Sequence, residues 1–171
     1  MTRILFVCHG NICRSPMAEF ILKHLVSEAA KSAKTPDFIG TFEISSAAVS
    51  AEETGNDIYP PAKRILTAKG IPFSHHAARR MTQADYDYYD YIICMDQSNL
   101  RWLNYIIGSD RDHKVSLLMQ WIDGQWINGH IVNGQMTNIS DPWYTGDFET
   151  AYNDIYLSCQ SLLKHFIANN E

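Results

Sequence analysis

The chain has 171 residues, of which 46% are hydrophobic and 19% charged, with a net charge of −5. That is enough apolar material for one sizeable core, so residues 1–171 are expected to form a single domain rather than a disordered segment. The acidic balance argues against a general nucleic-acid binder, and no run of about 18 apolar residues suggests a membrane span. The opening Met1-Thr2-Arg3-Ile4-Leu5-Phe6-Val7-Cys8-His9-Gly10 does not read as a signal peptide. The expected compartment is therefore the cytoplasm, with the four cysteines reduced.

Four short apolar runs read as buried strands: Ile4 to Val7, Phe38 to Ile44, Tyr91 to Met95 and Val115 to Leu118. Helical patterns lie between them. The first follows Ser15-Pro16, with Met17, Phe20, Ile21 and Leu25 at three- and four-residue spacing. A second opens at Pro60 or Pro61 and closes at Gly70, and a third runs from Ser98 to Ile107 and stops at Gly108. A fourth spans Phe148 to Ile167, with Tyr152, Ile155, Tyr156, Cys159, Leu162, Leu163 and Phe166 on one face. Trp121 to Ser140 is the one long irregular stretch, or it holds a small hairpin over Gln125 to Val132. Alternating strands and helices imply an α/β domain with a parallel sheet and ligands bound beyond the carboxyl ends of the strands. Tyr86, Tyr88, Tyr89 and Tyr91 read chiefly as packing residues that lead into the third strand.

The rule for such sheets points at Cys8-His9-Gly10-Asn11-Ile12-Cys13-Arg14-Ser15, between the first strand and the first helix. A loop that ends in a helix N-terminus offers unpaired N–H groups and partial positive charge. Gly10 and Asn11 tolerate the left-handed backbone that would curl those groups around a tetrahedral oxyanion. Arg14 supplies a planar fork for two phosphate oxygens. Cys8 would lie beneath the anion as a thiolate nucleophile, and Ser15 can donate a hydrogen bond to its sulfur. With this composition, Cys followed six residues later by Arg and then Ser or Thr is expected only about 0.02 times by chance. A zinc reading of Cys8, His9 and Cys13 lacks a second ligand pair.

A phenolate leaving group needs a proton donor, since its conjugate acid has a pKa near about 10. The candidate is Asp141 in Ser140-Asp141-Pro142-Trp143-Tyr144, where the two aromatics can wall a cleft. Alone, the Asp-Pro pair reads as an ordinary turn. Asp96 at the end of the third strand could orient Arg14 or cap the following helix.

With both motifs in hand, the chain resembles the low-molecular-weight protein tyrosine phosphatases. The likeness extends over Cys8 to Ser15, Ser46-Ala47-Ala48, Gly70-Ile71-Pro72, His76 with Arg79, and Asp90-Tyr91-Ile92-Ile93-Cys94-Met95-Asp96. It continues through Ser98-Asn99-Leu100 and Asp141-Pro142 before Phe148-Glu149. The resemblance implies a three-layer, doubly wound, Rossmann-like fold: a four-stranded parallel sheet flanked by helices on both faces. It implies a two-step reaction without metal or other cofactor, on a tyrosine-phosphorylated protein or small aryl phosphate, inhibited by phosphate-like oxyanions. Cys8 would attack phosphorus, Asp141 would act as acid and then base, and Arg14 would hold the oxygens with the loop amides of His9 to Cys13. Asn11 and Ser46 match bracing positions. His76 matches a position whose ring joins that network, although a surface histidine is the plain alternative. Cys13 matches a cysteine able to form a reversible disulfide with the nucleophile. Trp143 and Tyr144 match the paired aromatics of the cleft, with Trp at the first.

The sequence departs from the family where an aromatic usually forms the opposite wall. Val49-Ser50-Ala51-Glu52-Glu53-Thr54 has none, and Glu52 would repel acidic peptides. An arsenate reductase on the same fold is the alternative activity, but it needs further cysteines near the loop, where Cys94 and Cys159 are not expected.

Overall fold

A computed structural model describes residues 1–33, 41–124, 126–127, 130–131 and 138–169. In chain order the elements begin with β1 (Thr2–Cys8), α1 (Arg14–Ala33), β2 (Phe42–Ala48), α2 (Pro60–Ala68), α3 (Gln83–Tyr88), β3 (Tyr91–Cys94) and α4 (Gln97–Ile107). They continue with β4 (Val115–Leu117), a 3-10 helix (Leu118–Gly124), β5 (Trp126–Ile127), β6 (His130–Ile131), α5 (Pro142–Thr145) and α6 (Phe148–Ala168). The main sheet has the order β2-β1-β3-β4, and every pairing is parallel.

Side chains alternate across each strand, so one sheet feeds two cores. Ile4, Phe6 and Cys8 of β1 face a cluster with Met17 and Ile21 of α1 and with Ile155, Leu162 and Phe166 of α6. Leu5 and Val7 face the other way, toward Tyr86 of α3 and Leu103 and Ile107 of α4. Both faces are covered, which is why β1 reads as an unbroken apolar run, with Ile4 to Val7 fully buried.

The helices follow their start and stop signals. Pro60 and Pro61 occupy the first two positions of α2, and Gly70 takes φ +69° just beyond its end. Asp96 caps α4, and Gly108 ends it at φ +74°. The second strand differs from its apolar pattern: it runs over Phe42–Ala48, paired in register from Thr2↔Phe42 to Cys8↔Ala48. Ser45 and Ser46 interrupt the apolar run without ending the strand, and 38–40 lie outside the described residues. Of the two readings of the long segment, the hairpin is present: Trp126 pairs with Ile131 and Ile127 with His130, antiparallel. Gln125 and Val132 themselves lie outside the described residues. The short helix α3 has no apolar period to announce it; Thr82 and Asp85 form a reciprocal capping box at its start. Tyr86 and Tyr89 are buried and Tyr88 is exposed.

No helix among the described residues is long and apolar enough to cross a membrane. From the neighbouring strands β1 and β3 the chain departs to opposite faces of the sheet, into α1 and α4 respectively. That divergence opens a crevice at the strands' carboxyl ends, where Cys8 ends β1 and Asp96 follows β3.

Candidate functional site

Residues 8–15 link β1 to α1, and the protein around them takes up the loop's carbonyls one by one. The Cys8 carbonyl accepts from Val49 N at 2.9 Å, that of His9 from Ser50 N at 3.1 Å, and that of Ile12 from Tyr59 N at 2.8 Å. The Asn11 carbonyl lies 2.8 Å from His76 Nε2, which must carry a proton, since a carbonyl only accepts. In a trans peptide the N–H points away from the C=O. The amides of His9, Gly10, Ile12 and Cys13 are therefore turned inward, toward the start of α1.

Asn11 makes the curl possible. Its φ is +60°, in the left-handed region that asparagine tolerates. Gly10 does not share that conformation, contrary to the expectation from sequence. Its small size serves close approach instead, because a Cβ there would sit 3.2 Å from Glu53 Cγ.

Every polar group of Asn11 is used. Its N–H points at Cys8 Sγ at 3.2 Å, and Nδ2 donates to Ser15 Oγ and to Ser46 Oγ, both at 2.9 Å. Its Oδ1 accepts from Arg79 N at 3.2 Å. Ser46 in turn donates to Glu19 Oε2 at 2.5 Å, and Ser15 Oγ lies 3.0 Å from Cys8 Sγ. Replacing Asn11 by alanine is expected to destabilise the fold by about 2–4 kcal/mol, through left-handed strain plus lost buried hydrogen bonds. Asn11→Gly should cost less, because the backbone fits. Urea unfolding of both variants measures the difference, and equal losses would exclude the backbone contribution.

Arg14 is 2% exposed and is held from three directions. Nη1 donates to Asp96 Oδ2 at 2.5 Å and to the Ile139 carbonyl at 2.9 Å, and Nη2 donates to Asp141 Oδ2 at 3.0 Å. Burial would push the guanidinium's pKa down, but Cys8, Asp141 and Asp96 together hold it above its ordinary value. Asp96 performs both of the roles left open for it: its other oxygen accepts from Asn99 N at 2.8 Å to cap α4. Asp141 is likewise divided, with Oδ1 accepting from Trp143 N at 3.1 Å at the start of α5.

Cys8, His9, Gly10, Ile12, Cys13, Arg14, Asp141, Trp143 and Tyr144 line one pocket of about 110 Å³, together with Glu52 and Glu53. Asn11, Ser15, Ser46 and His76 brace it through the bonds given above. Trp143 and Tyr144 are exposed, and Tyr59 packs on Trp143 with ring centroids 4.9 Å apart. Burial first, and Cys8 second, push the Cys13 thiol's pKa up. Cys94 and Cys159 are fully buried, and burial pushes both of their thiols up as well.

Sequence reasoning missed Glu19, the Ile139 carbonyl, Tyr59 and Glu53. Glu19 left a signal, as a carboxylate in the apolar stripe of Met17, Ala18, Ile21 and Leu22. The Ile139 carbonyl left none, since any residue supplies one.

The family model described as "Low molecular weight phosphotyrosine protein phosphatase" matches residues 3–171. The human protein of that description is 36% identical over 164 residues, covering 94% of this chain and 93% of the relative. YfkJ of Bacillus subtilis, a low molecular weight protein-tyrosine-phosphatase, is 32% identical over 163 residues, covering 95% and 94%. Its crystal structure aligns with a TM-score of 0.83 over 100% of this chain and 98% of that one. The crystal structure of DARP, a Drosophila arginine phosphatase, is 31% identical and aligns with a TM-score of 0.73 over 97% and 98%.

Proposed function

The chain belongs to the low molecular weight phosphotyrosine protein phosphatase family and is a protein-tyrosine phosphatase, and from that premise we propose that it works through a cysteinyl-phosphate intermediate. The observation that carries the reading is Cys8 Sγ, which has Asn11 N–H at 3.2 Å and Ser15 Oγ at 3.0 Å, in a loop whose remaining amides turn inward. A phosphoryl group seated on that loop has its equatorial oxygens held by the amides and by Arg14, and its phosphorus in line with the sulfur.

Cys8 attacks as the thiolate, forming the S–P bond as the P–O bond to the phenol breaks. The incoming phosphoryl oxygen replaces Asp141 on Arg14 Nη2, which frees Asp141 to carry a proton to the leaving oxygen. In the second step Asp141 takes a proton from water, the water oxygen bonds to phosphorus, and Ser15 supports the departing thiolate. Trp143 and Tyr144 flank the aryl ring. Phosphate and similar oxyanions compete for the same cradle. The substrate is a tyrosine-phosphorylated protein or a small aryl phosphate, and the burial of Cys94 and Cys159 gives no support to a thiol relay of the arsenate-reductase kind.

The test is a panel of phosphotyrosine, phosphoserine, p-nitrophenyl phosphate and phosphoarginine, with acid quenching during turnover. Phosphotyrosine and the aryl ester are expected to be the good substrates, with a phosphoryl mass increment on the peptide that carries Cys8. Preference for phosphoarginine would reassign the substrate. Turnover without any trapped phosphocysteine, even in Asp141→Asn, would overturn the intermediate.

A further inference from the structure

His9 follows the nucleophile in the loop, but its ring leads out of the pocket to the surface of α4. Its Nε2 lies 3.3 Å from Glu52 Oε2, and its ring meets the Trp102 indole edge-on with centroids 5.7 Å apart. Glu52 is exposed, and Trp102 is 45% exposed beside the still more open Tyr105. A large exposed indole and an exposed carboxylate thus rest against one imidazole at the rim of the catalytic pocket. Neither the catalytic machinery nor the core uses Trp102.

We propose that Trp102 and Glu52 form a subsite for an arginine or lysine side chain of the substrate polypeptide, next to the phosphotyrosine. An indole face attracts a cation through its quadrupole, and a carboxylate within reach adds an ion pair. Glu53 lines the same pocket, so the rim carries two carboxylates. Among the described residues neither has a lysine or arginine partner. The neighbouring cation on α4, Arg101, lines a separate recess with Gln97, Ser140 and Asp141. Apart from the His9 ring, no side chain among the described residues brings positive charge to these carboxylates, and charge complementarity assigns a lysine or arginine to the substrate. Since the pocket takes the phosphate and ring, what crosses His9 toward α4 is the adjoining polypeptide.

This inference rests on the phosphatase reading, and the experiment separates the two. Phosphotyrosine peptides of one sequence carry arginine, glutamine or glutamate at each position flanking the phosphoresidue. They are compared by kcat/KM on the unmodified protein, Trp102→Ala and Glu52→Gln, with p-nitrophenyl phosphate alongside. The unmodified protein is expected to favour arginine over glutamine about five-fold at the best position, through KM, with glutamate poorest. Each substitution should reduce that preference to about two-fold or less, and Trp102→Ala should leave p-nitrophenyl phosphate turnover unchanged. Equal rates on arginine and glutamine peptides, or a preference that survives Trp102→Ala, overturn the subsite while the phosphatase reading stands. A preference for apolar neighbours also overturns it. If p-nitrophenyl phosphate itself is not turned over, the phosphatase reading fails and the subsite with it.

Discussion

Cys8→Ser is expected to lose at least about 10⁴-fold in turnover of any aryl phosphate, while still binding inorganic phosphate. The two effects divide because the residues that make the cradle are not those that break the bond. A serine hydroxyl fits beneath the loop, where Asn11 N–H and Ser15 Oγ already point at the sulfur. The loop carbonyls remain tied to Val49, Ser50, Tyr59 and His76, so the inward amides and Arg14 keep their positions. What is lost is the polarisable sulfur proposed to form the bond to phosphorus. Calorimetric titration with phosphate and an assay of p-nitrophenyl phosphate hydrolysis check both halves. Loss of phosphate binding together with activity would mean that the cradle depends on the thiol.

Asp141→Asn is expected to slow hydrolysis of phenyl phosphate by about 10²–10⁴, and that of esters with more acidic phenols by much less. The amide keeps an oxygen that can accept from Trp143 N, so the start of α5 should hold. It cannot deliver a proton to a phenolate whose conjugate acid has a pKa near about 10. The measurement is the dependence of kcat on leaving-group pKa, which should be steep in the variant and shallow in the unmodified protein. Parallel lines would remove Asp141 from the proton transfer.

Much of this site was legible in the sequence, because its chemistry is concentrated in short stretches. Cys8 to Ser15 carries the proposed nucleophile, the cradle and the guanidinium in eight consecutive positions, and a strand before it with a helix after it fixes their geometry. The sheet was legible for a related reason: strand segments covered on both faces tend to read as continuous apolar runs, as Ile4 to Val7 of β1 does. The hidden parts are those in which a polar residue does long-range work. Ser46 interrupts the apolar pattern of β2 because its hydroxyl stands between Asn11 and Glu19. Gly10 looked like a conformational residue, but what the fold brings to it is a close approach by Glu53, which is distant in sequence. Trp102 looked like one more aromatic on a helix, and only the fold brings it against His9.

The stretch just ahead of Asp141 is fastened to the end of β3 and the start of α4. Ile139 N donates to the Met95 carbonyl at 2.9 Å, its carbonyl accepts from Arg14 at 2.9 Å, and Asn138 Oδ1 accepts from Gln97 N at 3.0 Å. These clamps isolate the aspartate mechanically from the polypeptide upstream. Natural variation or an engineered graft between the 3-10 helix and Asn138 can therefore change length and character while Asp141 keeps its hold on Arg14.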